Sequence, residues 1–238
     1  MTITHSIGTL REQRLHAELK RWLAQSGDAL EQKVDSYHID IVRGDTLIEI
    51  QTSNFSKLRK KLALLLEDHK VLLVHPIPAT KWIIRISKRK RLISRRMSPK
   101  RGRFENLFDE LLYIPEIATH PNFTLQILLT EQEEIWRNDG RGSWRRKHWS
   151  IFDKVLLNVI DNAEFRNVDD YLALIPASLG TQFTHRQLAE AIGVPIRVGT
   201  RMSYCLRKMG ALEVCGKQGR SLLLTPSSRT DKINRNDG

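Results

Sequence analysis

The chain has 238 residues, 40% hydrophobic and 28% charged, an ordinary composition for a folded protein with one sizeable core and a smaller domain. Its 39 Lys and Arg against 27 Asp and Glu give a net charge of +12, which points to a polyanionic partner, nucleic acid before an anionic membrane. Two cysteines, Cys205 and Cys215, exclude a disulfide framework. No apolar run approaches the ~20 residues of a membrane span, and no leader segment is visible, so the expected setting is cytoplasmic, with both thiols reduced packing residues.

In chain order, residues 7–26 read as a helix with Leu15, Leu19, Trp22 and Leu23 on one stripe. Glu18 sits on that stripe, and a carboxylate on a core-facing stripe is unusual unless it is paired or holds a cation. Gly27-Asp28 ends the helix, and residues 29–35 make a first strand. His38 to Gln51 reads as two strands joined by a tight turn at Gly44-Asp45, with glycine at the first central position of a type II′ hairpin. Counting from the turn pairs Arg43 with Thr46, Val42 with Leu47, Ile41 with Ile48 and Asp40 with Glu49. Ile39, Ile41, Ile48 and Ile50 then form the core face, while two carboxylates stand side by side, with Cβ atoms roughly 5 Å apart. Opposed like charges weaken a sheet, and a bound cation or a shared proton relieves them. The alternative is that one carboxylate simply points to water.

Thr52-Ser53-Asn54 offers N-cap chemistry for an amphipathic helix from Ser56 to Asp68, rich in Lys57, Arg59, Lys60 and Lys61. Val71–Val74 and Lys81–Ser87 read as two strands separated by Pro76 and Pro78. In residues 88–103, nine of sixteen are Lys or Arg and none is acidic, so the segment is expected to be flexible unless an anion holds it. A helix over 104–112 and a strand over 123–129 follow. In residues 131–150, Trp136, Trp144 and Trp149 interleave with Arg137, Arg141, Arg145, Arg146 and Lys147. That pattern suits stacking on bases beside phosphates, and equally a connecting segment anchored by its tryptophans. Residues 149–159 read as a helix with Phe152, Val155, Leu156 and Val159 on one side, and 168–175 as another.

The C-terminal part has a cap at Thr184, a short helix, a turn at Gly193, a helix over 197–209, and a hairpin with Lys217 and Arg220 at its tip. Helix, turn, helix and hairpin resemble a winged helix-turn-helix domain over about residues 178–225. The resemblance implies that Arg197, Thr200, Arg201 and Tyr204 face the DNA groove and that Lys217 and Arg220 reach phosphates. The tail from 227 to 238 is polar and expected to be disordered.

The N-terminal order of helix, three strands, helix and strand, with Asp40 on the second strand and Glu49-x-Gln51 on the third, resembles the PD-(D/E)XK nuclease superfamily. The resemblance covers residues 7–87. It implies a restriction-endonuclease-like α/β core, a mixed sheet flanked by helices, in the residue 1–130 segment. A connector over 131–165 and a mostly helical winged-helix domain over 166–226 would follow. It also implies a metal-dependent DNA endonuclease with Glu18, Asp40, Glu49 and Gln51 as catalytic residues. Asp40, Glu49, the Ile50 carbonyl and Glu18 would hold Mg²⁺ or Mn²⁺. Gln51 stands at the family's lysine position and brings no charge; Lys57 is a candidate substitute. DNA contacts would come from Lys57, Arg89, Arg91, Arg95, Arg96, Arg145 and Arg146 besides the winged-helix residues. RNA is a second candidate substrate, and a homodimer would allow both strands to be cut. The alternative is a nuclease fold that has lost its chemistry and only binds DNA. No Cys/His spacing suits zinc, and there is no phosphate-binding glycine loop or nucleophile elbow.

Overall fold

The computed structural model describes residues 13–227. The helix expected from residue 7 and the tail from 228 lie, in those parts, outside the described residues. The fold is α/β. Among the described residues, seven strands join in one mixed sheet of order β1 (Ala29–Val34), β2 (Tyr37–Arg43), β3 (Thr46–Ile50), β4 (Lys70–Ile86), β6 (Phe123–Asn138) and β7 (Trp149–Phe165); β5 (Leu92–Met97) pairs with β4. The helices are α1 (Gln13–Leu23), α2 (Arg59–Asp68), α3 (Phe108–Leu111), α4 (Val168–Leu172), α5 (His185–Ile192) and α6 (Ile196–Lys208), and β8 (Leu212–Gln218) and β9 (Ser221–Pro226) form a separate hairpin.

Two compact units share the chain. One takes the described residues up to Thr52 with Val74–Phe104 and Ile127–Ala163; the other takes Ser53–Leu73, Glu105–Gln126 and the described residues from Glu164. The partition is interleaved, where the sequence reading divides the chain consecutively at 130 and 166.

In the first unit the β2–β3 hairpin has the register counted from its turn: Arg43 faces Thr46, Val42 faces Leu47 and Ile41 faces Ile48. Gly44 has φ 56°, as the first central residue of a II′ turn requires. Ile39, Ile41, Ile48 and Ile50 are all buried, so one face of the hairpin is core. In α1 the buried stripe is Leu15, Leu19 and Leu23; Trp22, expected on it, is 48% exposed. Residues 18 and 22 flank this stripe on one side, and 16 and 20 flank it on the other.

The two strands expected around Pro76 and Pro78 are one strand, β4. Residues 74, 76 and 78 direct their peptide groups to one edge. Val74 O accepts the Gln51 N–H there, β3 has already ended at Ile50, and Pro78 O takes the Gly102 N–H instead. The prolines sit in the gap between these partners, where no ladder donor is required. The basic segment expected to be flexible contains β5, with Arg96 facing Ile83 and Arg95 facing Ile84. The expected connector and helix over 131–159 are instead the end of β6 and the strand β7. Phe152, Val155, Leu156 and Val159 fit helical spacing, yet only Val155 among them is buried. Pairing with β6, and the β-branched and aromatic content of the segment, decided the outcome.

In the second unit, a 3₁₀ turn at Phe55–Lys57 precedes α2; Asn54, in the left-handed region at φ 66°, makes no side-chain cap. The helix expected over 104–112 is a 3₁₀ turn at Phe104–Leu107 followed by the short α3. A capping box joins Thr184 and Gln187 at the start of α5, and Gly193 ends α5 at φ 75°. Gly199 lets α6 approach α5: a Cβ there would lie 2.7 Å from both the Ala189 Cβ and the His185 carbonyl oxygen. An isolated bridge ties Phe183 to Leu224 of β9. Tyr171 of α4 stacks on Phe165 with ring centroids 5.0 Å apart. Cys205 is buried, which pushes its thiol up to about 12; Cys215, expected to be a packing residue, is exposed.

Candidate functional site

A cleft of about 420 Å³ in the first unit is lined by His16, Lys20, Glu31, Asp40, Glu49, Gln51 and their neighbours Ala17, Ile50 and Thr52. Its floor comes from the hairpin: β2 and β3 turn their isoleucines into the core and so present Asp40 and Glu49 on the other face. Glu31 completes the row. In the β1–β2 register Leu30 faces Ile41 and Gln32 faces Ile39, so Glu31 lies across from Asp40. Three acidic residues thus stand at successive positions across β1, β2 and β3.

The partners of this row come from α1. Lys20 Nζ lies 3.1 Å from Asp40 Oδ1 and 2.8 Å from Glu31 Oε1. His16 Nε2 lies 3.0 Å from Asp40 Oδ2, and the Ile50 N–H donates to the same oxygen at 2.9 Å. Burial pushes the Asp40 carboxyl up, but the bond to His16, the Ile50 N–H and the Lys20 charge outweigh it and hold Asp40 below the usual carboxylate range. Burial likewise opposes the Lys20 charge, and Glu31 and Asp40 overcome it, so the ammonium titrates above its ordinary value. One oxygen of Glu49, Oε2, is buried. The backbone of Gln51 is fixed on both sides: its N–H donates to Val74 O at 2.9 Å, and its carbonyl lies 2.6 Å from His75 Nδ1.

The structure therefore gathers Asp40, Glu49, Ile50 and Gln51 in one cleft, as expected, but not Glu18. That residue lies on the other flank of α1, pairs with Arg14 and accepts the Leu156 N–H at 2.7 Å. His16, Lys20 and Glu31 take part instead, and the sequence reading missed all three. Lys57 is exposed in the second unit and does not line this cleft.

Among the described residues, no group of three or more His, Cys, Asp or Glu side chains is gathered to hold a metal ion. The donors that are present fit Mg²⁺ or Mn²⁺ rather than a closed protein cage. Two neighbouring carboxylates and a backbone carbonyl are hard oxygen ligands, and Mg²⁺ keeps several waters and completes its shell with substrate phosphates.

Of the expected DNA contacts, Arg89, Arg91, Arg95 and Arg96 are exposed on or beside β5; Arg95 pairs with Glu133 and lies over Trp82 at 5.0 Å. Arg146 donates to the Trp149 carbonyl, and the Arg145 side chain lies outside the described residues. The Arg85 guanidinium sits 5.1 Å from the Trp149 ring centroid and 5.9 Å from that of Trp136, so these tryptophans pack within the sheet. Thr200 and Tyr204 are exposed on α6, and Lys217 and Arg220 are exposed on the β8–β9 hairpin. Arg197 and Arg201 both pair with Asp109 of α3. A second cleft, lined by Tyr204, Arg207, Lys208, Leu212, Glu213 and Val214, places two cations on α6 that the sequence reading did not single out.

Fold and cleft together define an α/β protein whose sheet carries an acidic row compensated by a lysine and a histidine. Residues 13–166 match the family described as a domain of unknown function, DUF8091, and the chain belongs to that family. A Treponema pallidum (strain Nichols) protein described as "Uncharacterized protein" is 31% identical over 220 residues, covering 92% of this chain and 86% of its own length. No solved structure matches the chain. No helix among the described residues is long and apolar enough to cross a membrane.

Proposed function

We propose that this protein is a metal-dependent endonuclease of the PD-(D/E)XK type that hydrolyses DNA phosphodiester bonds. The observation that carries the reading is that Asp40 and Glu49, on adjacent strands of a helix–three-strand–helix–strand arrangement, line one cleft together with Lys20. Asp40, Glu49 and the Ile50 carbonyl would hold Mg²⁺ or Mn²⁺, and the ion would supply an activated water and neutralise charge on the scissile phosphate. His16 and the Ile50 N–H fix the Asp40 rotamer. Gln51, held rigid through its backbone, offers an amide that orients a water but carries no charge. Lys20 supplies the cation that residue 51 lacks. The exposed arginines of β5 hold the duplex, and α5, α6 and the β8–β9 hairpin act as a winged helix that reads DNA. The setting is cytoplasmic, and a homodimer would bring two clefts to the two strands.

A second reading, a nuclease fold that binds DNA without cutting it, is favoured by one observation. Both oxygens of Asp40 already accept hydrogen bonds or ion pairs from protein groups, and Gln51 replaces the motif lysine.

The test is cleavage of supercoiled, linear, branched and single-stranded DNA, and of RNA, with Mg²⁺, Mn²⁺ or EDTA. Metal-dependent cutting that disappears in Asp40→Ala supports the nuclease. Binding without cutting in either metal, unchanged in Asp40→Ala, supports the second reading.

A further inference from the structure

We propose that Lys20 is the resident counter-ion of the cleft and competes with a divalent cation for Asp40, with Glu31 as the positioning residue that retains the ammonium when the cation takes Asp40. The inference rests on the metal-dependent reading above and adds a built-in competitor to it.

The geometry makes Lys20 two-handed. Its ammonium bridges Asp40 on β2 and Glu31 on β1, and its side chain is only 14% exposed, as is that of Asp40. The charge is therefore fixed over the carboxylates by burial as well as by contact. An ammonium and a dication cannot occupy one carboxylate oxygen without strong repulsion at this separation. Asp40 Oδ2 is already engaged by His16 and by the Ile50 N–H, so a cation approaching Asp40 meets Lys20 at Oδ1.

Glu31 explains why Lys20 would stay in the cleft. It has φ 51°, a left-handed backbone that is costly for a residue other than glycine, in the middle of a strand. Such a conformation persists only where its surroundings over-determine it. The 2.8 Å bond from Lys20 is a contact that rewards it here. Glu31 is 74% exposed at its side chain, so it remains an open acceptor beside the cleft when Asp40 is taken. Removing Lys20 would take the ammonium from between Asp40 and Glu31 and leave a more negative row, a markedly stronger trap for a dication.

The probe is Mn²⁺ alone, with the free ion measured by its paramagnetic resonance in the presence of wild type, Lys20→Met, Lys20→Gln and Lys20→Arg. Thermal melts report which variants fold, and either neutral variant suffices. The expected result is Mn²⁺ binding roughly five- to thirty-fold tighter in the neutral variants, the weight of one largely buried charged contact, with slower DNA cleavage in the same proteins. Lys20→Arg keeps the wild-type affinity. Equal or weaker Mn²⁺ binding in the neutral variants overturns the inference and leaves the nuclease reading standing. Tighter Mn²⁺ binding with no cutting by any protein sustains the inference and removes the nuclease reading. Absence of Mn²⁺ binding in every protein overturns both.

Discussion

Arg43 clasps Asp28 with a two-pronged fork, Nε to Oδ1 at 2.9 Å and Nη2 to Oδ2 at 2.8 Å. The same Nη2 donates to the Leu23 carbonyl at 2.7 Å, so the fork ties the end of α1 to β2, the strand that carries Asp40. The fork, and the Gln25 N–H after it, bring the Asp28 carboxyl down from an ordinary 3.8 to about 2. A depressed carboxylate contributes stability above its unfolded value and loses that contribution as pH falls through its folded one. Wild type should therefore lose stability from about pH 4 down to about pH 2. Asp28→Asn should lose less over that window, and the gap between the two should close at its acid end. Thermal midpoints measured across the range check it.

Gly199 carries the closest approach between α5 and α6. Adding a single methyl forces the two helices apart or distorts the α5 backbone, because one of the contacts is a main-chain carbonyl rather than a movable side-chain end. Gly199→Ala should cost about 1–3 kcal/mol, the usual range for overpacking. Urea denaturation, with hydrogen exchange on α5 and α6 to localise the loss, provides the measurement.

Asp109 holds the two arginines of α6 that a groove-reading helix would need, Arg197 and Arg201. All three side chains are partly exposed, so Asp109→Ala should change stability by only about 0–1 kcal/mol. Its larger effect should be on DNA. Freed guanidiniums should tighten binding and steepen the salt dependence by about 0.9 log unit for each one that reaches a phosphate. Fluorescence anisotropy over a salt series decides the matter, and an unchanged slope would remove these arginines from the DNA interface.

Thr184 accepts the Gln187 N–H at 3.3 Å and opens α5. Thr184→Ala should cost about 1 kcal/mol, read as a shift of the denaturation midpoint with an unchanged slope.

The parts of this fold that are legible in the sequence are those in which turn chemistry fixes a count. Gly44-Asp45 sets the hairpin register, so the buried isoleucines and the Asp40–Glu49 neighbourhood follow from counting. Glu31 was within reach of the same method. Val34 faces Tyr37 across the two-residue turn Asp35-Ser36, and counting back from there brings residue 31 to residue 40. His16 and Lys20 were hidden because an apolar stripe has two flanks, and spacing alone does not say which one meets the sheet. Trp22 and Glu18 lie on the flank of Leu19 that faces away from the acidic row. In β7 the apolar residues match a helical period by coincidence, and only the presence of β6 as a partner settles it as a strand. The prolines of β4 read as breaks because the gap between β3 and Gly102 exists only in three dimensions.

That gap separates two stretches of ladder. Along one edge, β4 hands over from β3, the strand bearing Glu49, to the segment leading from β5, and the prolines mark the seam. The ladder that sets the acidic row ends before the basic arm begins, so a change in the length or charge of residues 88–103 leaves the hairpin register as it was.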